Sequence, residues 1–143
     1  MSRSPRDPER LLRRLEWTVM RRLDGLLHTM IVSYSSIDPQ VYARVHVNLD
    51  HARVTENILA AQRLFRQTRL AISLTPVSAS LATLPHTIEW LRAQGVHTLT
   101  MSPTLYDRAG TWAERESQTR SLRDLIRTHG LRSQELDFMP SLR

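Results

Sequence analysis

The chain contains no cysteine. That excludes disulfides, thiolate zinc sites, a cysteine nucleophile and any iron–sulfur cluster held by the chain's own thiolates. It also contains no lysine, all 20 of its Lys+Arg positions being arginine. A P-loop lysine and a Schiff-base lysine are therefore excluded as well. No apolar run approaches the roughly 20 residues that a membrane span requires. The polar start, Met1 to Arg10 with its three arginines, lacks the form of a signal peptide, so the chain reads as cytoplasmic. Gly-x-Ser-x-Gly, Gly-x-Gly-x-x-Gly and His-Glu-x-x-His motifs are absent.

What is present describes a folded chain. Its 143 residues, 41% of them apolar, suit one domain that buries most of its core-forming side chains. The net charge of +6 permits contact with nucleic acid or an acidic partner. Acids lie between the arginines throughout, however, so no basic tract stands out.

Residues 1–28 read as a basic amphipathic helix. Asp7 can cap it, Pro8 suits its first position, and Leu11, Leu15, Val19, Leu23 and Leu27 recur on one face with Leu12 and Leu26 beside them. Arg13, Arg14, Arg21 and Arg22 lie off that stripe. Such a helix suits a membrane surface, or a core contact with a solvated arginine face, the plainer reading. Thr29 to Ser35 then reads as a strand, and Ser36 to Pro39 opens a short helical turn through Tyr42 and Val45. Asp50 caps a longer helix with Val54, Ile58, Ala61 and Phe65 on one face. Leu70 to Thr75 is a second strand, halted by Pro76. Leu84, Ile88 and Leu91 face inward on a helix that ends before Gly95, and Val96 to Ser102 is a third strand. A last helix spans Glu114 to His129, stopped by Gly130, and a further short strand is expected around Glu135 to Phe138.

Helix and strand thus alternate. The fold class is α/β, with parallel strands joined by right-handed helical crossovers, three to four strands in all. Ligands of such folds bind at the carboxyl ends of the strands, here Ser33 to Ser36, Ser73 to Pro76 and Met101 to Thr104, all rich in hydroxyls.

The segments Ile31 to Asp38, Pro39 to Val45, Asp50 to Ile58, Leu70 to Thr75 and Leu81 to Val96 follow one another in an order that resembles the second half of a radical S-adenosylmethionine domain, over residues 30–110. That resemblance implies a partial (β/α) barrel. It implies that Ser33, Ser35, Thr75 and Ser102 border S-adenosylmethionine and that Arg44 meets its methionine carboxylate, which a guanidinium fits bidentately. The family's four-iron cluster, held by a Cys-x3-Cys-x2-Cys loop, is not bindable by this chain. The resemblance therefore implies a barrel segment that is not catalytic alone and that pairs with a complementary barrel half or with itself. The alternative is a stand-alone basic α/β module for an acidic partner or nucleic acid. The stretch Leu12 to Leu27 also resembles the opening of an uncharacterised family linked to MoxR ATPases, a likeness that stops at His28.

Tyr106, Asp107 and Arg108 follow the third strand, where a barrel would present them to a substrate. His86 and Glu89 lie three apart on a helix without a third metal ligand beside them. His46 and His51 read as solvated loop histidines, and Trp90 and Trp112 as packing residues.

Overall fold

The computed structural model describes residues 8–107 and 110–133, with side chains for 16–107 and 110–132. Along them lie α1 (Pro8–Leu23), β1 (Thr29–Tyr34), α2 (Pro39–Val45), α3 (His51–Leu64), β2 (Arg69–Leu74), a 3-10 turn (Ser78–Ser80), α4 (Leu84–Ala93), β3 (Thr98–Met101), α5 (Trp112–His129) and β4 (Arg132–Ser133). The alternation of helix and strand is as the periodicity predicts.

Local chemistry accounts for most boundaries. The Asp38 carboxylate accepts the Gln40 amide at 2.8 Å and the Val41 amide at 3.3 Å, and Pro39 opens α2. Asp50 caps α3 through the Arg53 amide at 3.3 Å. A reciprocal box starts α5: Thr111 donates its amide to the Glu114 carboxylate at 2.7 Å, and the Glu114 amide returns to the Thr111 hydroxyl at 3.3 Å. That box begins the helix at Trp112, earlier than the expected Glu114. Gly130, with φ of 62°, closes it in the left-handed conformation.

All four strands are parallel, and their order across the sheet, β1-β2-β3-β4, is their order along the chain. Every crossover therefore steps the same way, and right-handed crossovers place the intervening helices on one face. The core agrees. Tyr34, Leu70, Ile72, Leu74, Leu99 and Met101 point to a single buried cluster with Ile58 and Ala61 of α3, Leu84, Ile88 and Leu91 of α4, and Leu122 of α5. The other sheet face carries Ile31, 67% exposed, and the exposed Ser33.

The first helix departs from expectation. It stops at Leu23 rather than reaching His28. The Asp24 carboxylate turns away to accept the amides of Arg66, Gln67 and Thr68, and Gly25 takes a φ of 85°. Leu26 and Leu27, expected on the apolar face, are left 76% and 41% exposed. Val19 is 53% exposed because α3 takes the neighbouring flank of α1, where Glu16 pairs with Arg53 and meets Asn57 while Met20 packs on the core. Trp112, expected to pack, is 73% exposed with the Arg115 guanidinium over its ring. Trp90 does pack on the core. Asp7 and the segment Glu135 to Phe138 lie outside the described residues, and the fourth strand is at Arg132–Ser133. Among the described residues no helix is long and apolar enough to cross a membrane.

Candidate ligand-binding face

Strand register turns the scattered hydroxyls into rows. Ser33 stands opposite Ser73, Ser73 opposite Thr100, and Thr100 opposite Arg132. Side chains alternate along a strand, so this row lies on the face turned away from the helices. Ladder pairing continues past the last strand residues, since the Thr75 amide donates to the Tyr34 carbonyl at 3.3 Å. One step beyond Tyr34–Leu74 and Leu74–Met101 in the register come Ser35, Thr75 and Ser102. Four of the expected ligand residues, Ser33, Ser35, Thr75 and Ser102, therefore share one face at the carboxyl end of the sheet. Arg44 does not join them by any hydrogen bond or ion pair of the described residues; it is exposed in the last turn of α2.

The three serines at the end of β1 and just beyond it differ in kind. Ser36 is fully buried, and its hydroxyl accepts the Asp38 amide at 3.0 Å and contacts the Thr83 hydroxyl at 2.8 Å. Thr83 donates to the Ser80 carbonyl at 3.1 Å, so its oxygen accepts the Ser36 proton. Thr87, also fully buried, accepts the Ile37 amide at 3.0 Å and donates to the Thr83 carbonyl at 3.0 Å. Ser36 is thus a strut between β1 and α4. Ser33 is exposed. Ser35 is fully buried, yet its hydroxyl has no hydrogen-bond partner. An unpaired buried hydroxyl costs about 1–3 kcal/mol, a cost that a hydrogen bond from a ligand would relieve. Ser102, 9% exposed, is engaged with Thr104 at 3.2 Å.

Behind Ser36 sits an aromatic cluster that sequence reading missed. His51 and His46 are not solvated loop residues. The His51 Nε2 lies 3.1 Å from the Ser36 carbonyl and 3.0 Å from the Tyr34 hydroxyl. A carbonyl only accepts, so Nε2 carries the proton, and Tyr34 gives its own to the Thr55 hydroxyl at 2.8 Å. The His46 ring packs at a tilt against Tyr42, centroids 4.5 Å apart, with its Nε2 buried and unpaired, and burial lowers its pKa below the ordinary histidine value. Burial likewise raises the hydroxyl pKa of Tyr34 and Tyr42 above the ordinary tyrosine value. Only the position of His51 directly after the Asp50 cap signalled its place at the start of a helix.

In the loop after β3, both Asp107 carboxylate oxygens accept the Ser78 amide, at 3.0 and 3.1 Å, which clamps the loop to the 3-10 turn. Tyr106 is 60% exposed, and Arg108 lies outside the described residues. An open cleft of about 700 Å³ lies between the start of α2 and the start of α4, lined by Asp38, Gln40, Thr83 and His86 among others. Among the described residues no cluster of three His, Asp or Glu side chains could hold a metal.

Fold and face together define an α/β protein with a short parallel sheet in chain order and a hydroxyl-lined open face. Comparison with family models, with curated proteins and with solved structures finds no match to this chain.

Proposed function

We propose that the chain is a partial-barrel segment that binds a small polar ligand on its hydroxyl-lined face and performs no chemistry alone. S-adenosylmethionine is the ligand that its resemblance to the radical S-adenosylmethionine family suggests. The carrying observation is the Ser35 hydroxyl, fully buried without a partner and in register with Thr75 and Ser102. Hydroxyls that can both donate and accept suit a ribose edge. The family's cluster does not fit, since the chain has no cysteine to hold it. Arg44 is assigned the ligand carboxylate, a contact that requires the ligand to reach past the end of β1.

Isothermal titration with S-adenosylmethionine and S-adenosylhomocysteine tests the reading. Weak, saturable heat is expected, diminished in Ser35→Val and in Arg44→Ala. No heat at millimolar ligand overturns it, and Arg44→Ala binding unchanged removes that residue's role.

Such a segment acts in company, with a complementary barrel half or a second copy across the β1 edge. A second reading, the basic binding module, draws support from the exposed Arg21 and Arg22 in the last turn of α1. Gel-shift binding of nucleic acid with a steep salt dependence would favour it.

A further inference from the structure

The turn from α1 into β1 is tied to the turn from α3 into β2. The Asp24 carboxylate accepts the amides of Arg66, Gln67 and Thr68. The Thr68 hydroxyl accepts the Gly25 amide at 2.9 Å and donates to the Leu27 carbonyl at 2.7 Å. The Arg69 amide donates to the His28 carbonyl at 2.9 Å, and the Leu26 amide donates to the Leu23 carbonyl at 2.9 Å. The backbone is held, yet Leu26 and Leu27 are 76% and 41% exposed, and Val19, three residues before Arg22, is 53% exposed. A lone exposed leucine needs no explanation. Neighbouring apolar side chains held out by a fixed turn mark a contact surface.

The charge around these leucines says what they contact. Residues 19–28 and 63–70 hold five arginines and a single carboxylate, Asp24, which is spent on three backbone amides. The guanidinium of Arg63 lies over the Trp17 ring. Arg21, Arg22, Arg66 and Arg69 are exposed, and no carboxylate of the described residues pairs with them. Exposed leucines ringed by arginine match a surface that is anionic outside and apolar beneath.

We infer that this tip docks on an anionic membrane surface. Leu26 and Leu27 enter the boundary between headgroups and acyl chains, while the four arginines meet lipid phosphates and carboxylates. Nucleic acid would satisfy the arginines but leave the leucines against phosphates, and neither turn exposes an aromatic ring for bases to stack on. An acidic protein would need a broad patch with large anchors, whereas lipid takes up each apolar side chain separately. Each arginine near the surface strengthens attachment about five-fold, and salt screens that gain. The tip lies where β1 and β2 begin, roughly 20 Å along β1 from Ser35, so docking leaves the proposed ligand face open. The inference stands apart from the ligand reading.

Co-sedimentation of the full chain with vesicles tests it. The chain should pellet with vesicles of equal parts phosphatidylserine and phosphatidylcholine, stay in solution with phosphatidylcholine alone, and be released by salt. Arg66→Ala should weaken binding about five-fold, and Leu26→Ser should abolish it, both with unchanged circular dichroism. Because the chain has no cysteine, an introduced thiol carries a unique label. A polarity-sensitive dye on Leu26→Cys should shift to the blue on the anionic vesicles. The same dye on Ala113→Cys, exposed in the first turn of α5, should not. Absence of pelleting overturns the inference, and so does equal pelleting with uncharged vesicles or undiminished binding by Leu26→Ser. A chain that ignores the anionic vesicles but binds duplex nucleic acid or polyglutamate also overturns it and assigns the arginines to that partner.

Discussion

The Asp24 carboxylate accepts the Thr68 amide at 2.8 Å, tying the end of α1 to the start of β2 across 44 residues. The same group accepts Gln67 at 2.9 Å and Arg66 at 3.0 Å. These amides, Thr68 foremost, hold its pKa below the ordinary carboxylate value of 3.8. A carboxylate acidified by folding contributes stability that is complete above its unfolded pKa and lost as pH falls through the folded one. Asp24→Asn should lower the thermal midpoint at neutral pH and flatten the acid limb of the stability profile. Melting of this variant indistinguishable from the parent at neutral pH and along the acid limb would refute the role.

Tyr34 links Thr55, His51 and, through His51, the Ser36 carbonyl. Tyr34→Phe should cost about 1–3 kcal/mol in denaturant unfolding, since buried polar partners lose their hydrogen bond. Burial raises Tyr34 and Tyr42 above the ordinary value of 10.0, so their contribution is complete below that pH and is lost as pH rises through the raised values. The parent should therefore lose stability in alkali, with a shallower loss in Tyr34→Phe. An equal alkaline slope in both proteins would contradict the assignment.

His46 supplies the mildly acidic response. Its folded pKa lies below 6.5, so its neutral form favours folding, fully above that pH and decreasingly as pH falls through the folded value. Chemical denaturation of His46→Phe, followed from neutral to mildly acidic pH, should show less loss than the parent over that interval. Parallel curves would exclude His46 as the titrating group.

Ile88 is fully buried between α4 and the sheet. Ile88→Ala should destabilise by about 2–5 kcal/mol through lost burial and the cavity left behind. The Arg120–Glu116 pair on α5, 4.0 Å apart with side chains 73% and 56% exposed, provides the contrast. Arg120→Ala should change stability by less than about 1 kcal/mol. Equilibrium denaturation compares them directly, and similar losses in the two variants would show that the core has been misassigned.

The candidate face is half legible in the amino-acid sequence. The strand ends Ser33 to Ser36, Ser73 to Pro76 and Met101 to Thr104 can be named from it because periodicity locates the strands and such ends carry ligand groups in α/β folds, while only the family resemblance singles out Ser33, Ser35, Thr75 and Ser102 among them. That Ser36 becomes a strut to Thr83, 47 residues on, while its neighbour Ser35 stays unpaired, has no local signal. The histidines escape a local reading for the same reason: His51 finds Tyr34 17 residues away, across a turn and a helix.

The sequence by itself determined the order of helices and strands, the caps at Asp38 and Asp50, and the inward faces of α3 and α4. Each depends on residues within a turn or two of one another, where backbone sterics and hydrophobic spacing act directly. Tertiary structure alone decided where α1 ends, which flank of it meets α3, and which face of the sheet is left open. Those outcomes were settled by distant partners. Asp24 gains more from three amides before β2 than from another helical turn, and the α1 flank carrying Glu16 and Met20 finds Arg53, Asn57 and the core while Val19 is left in water.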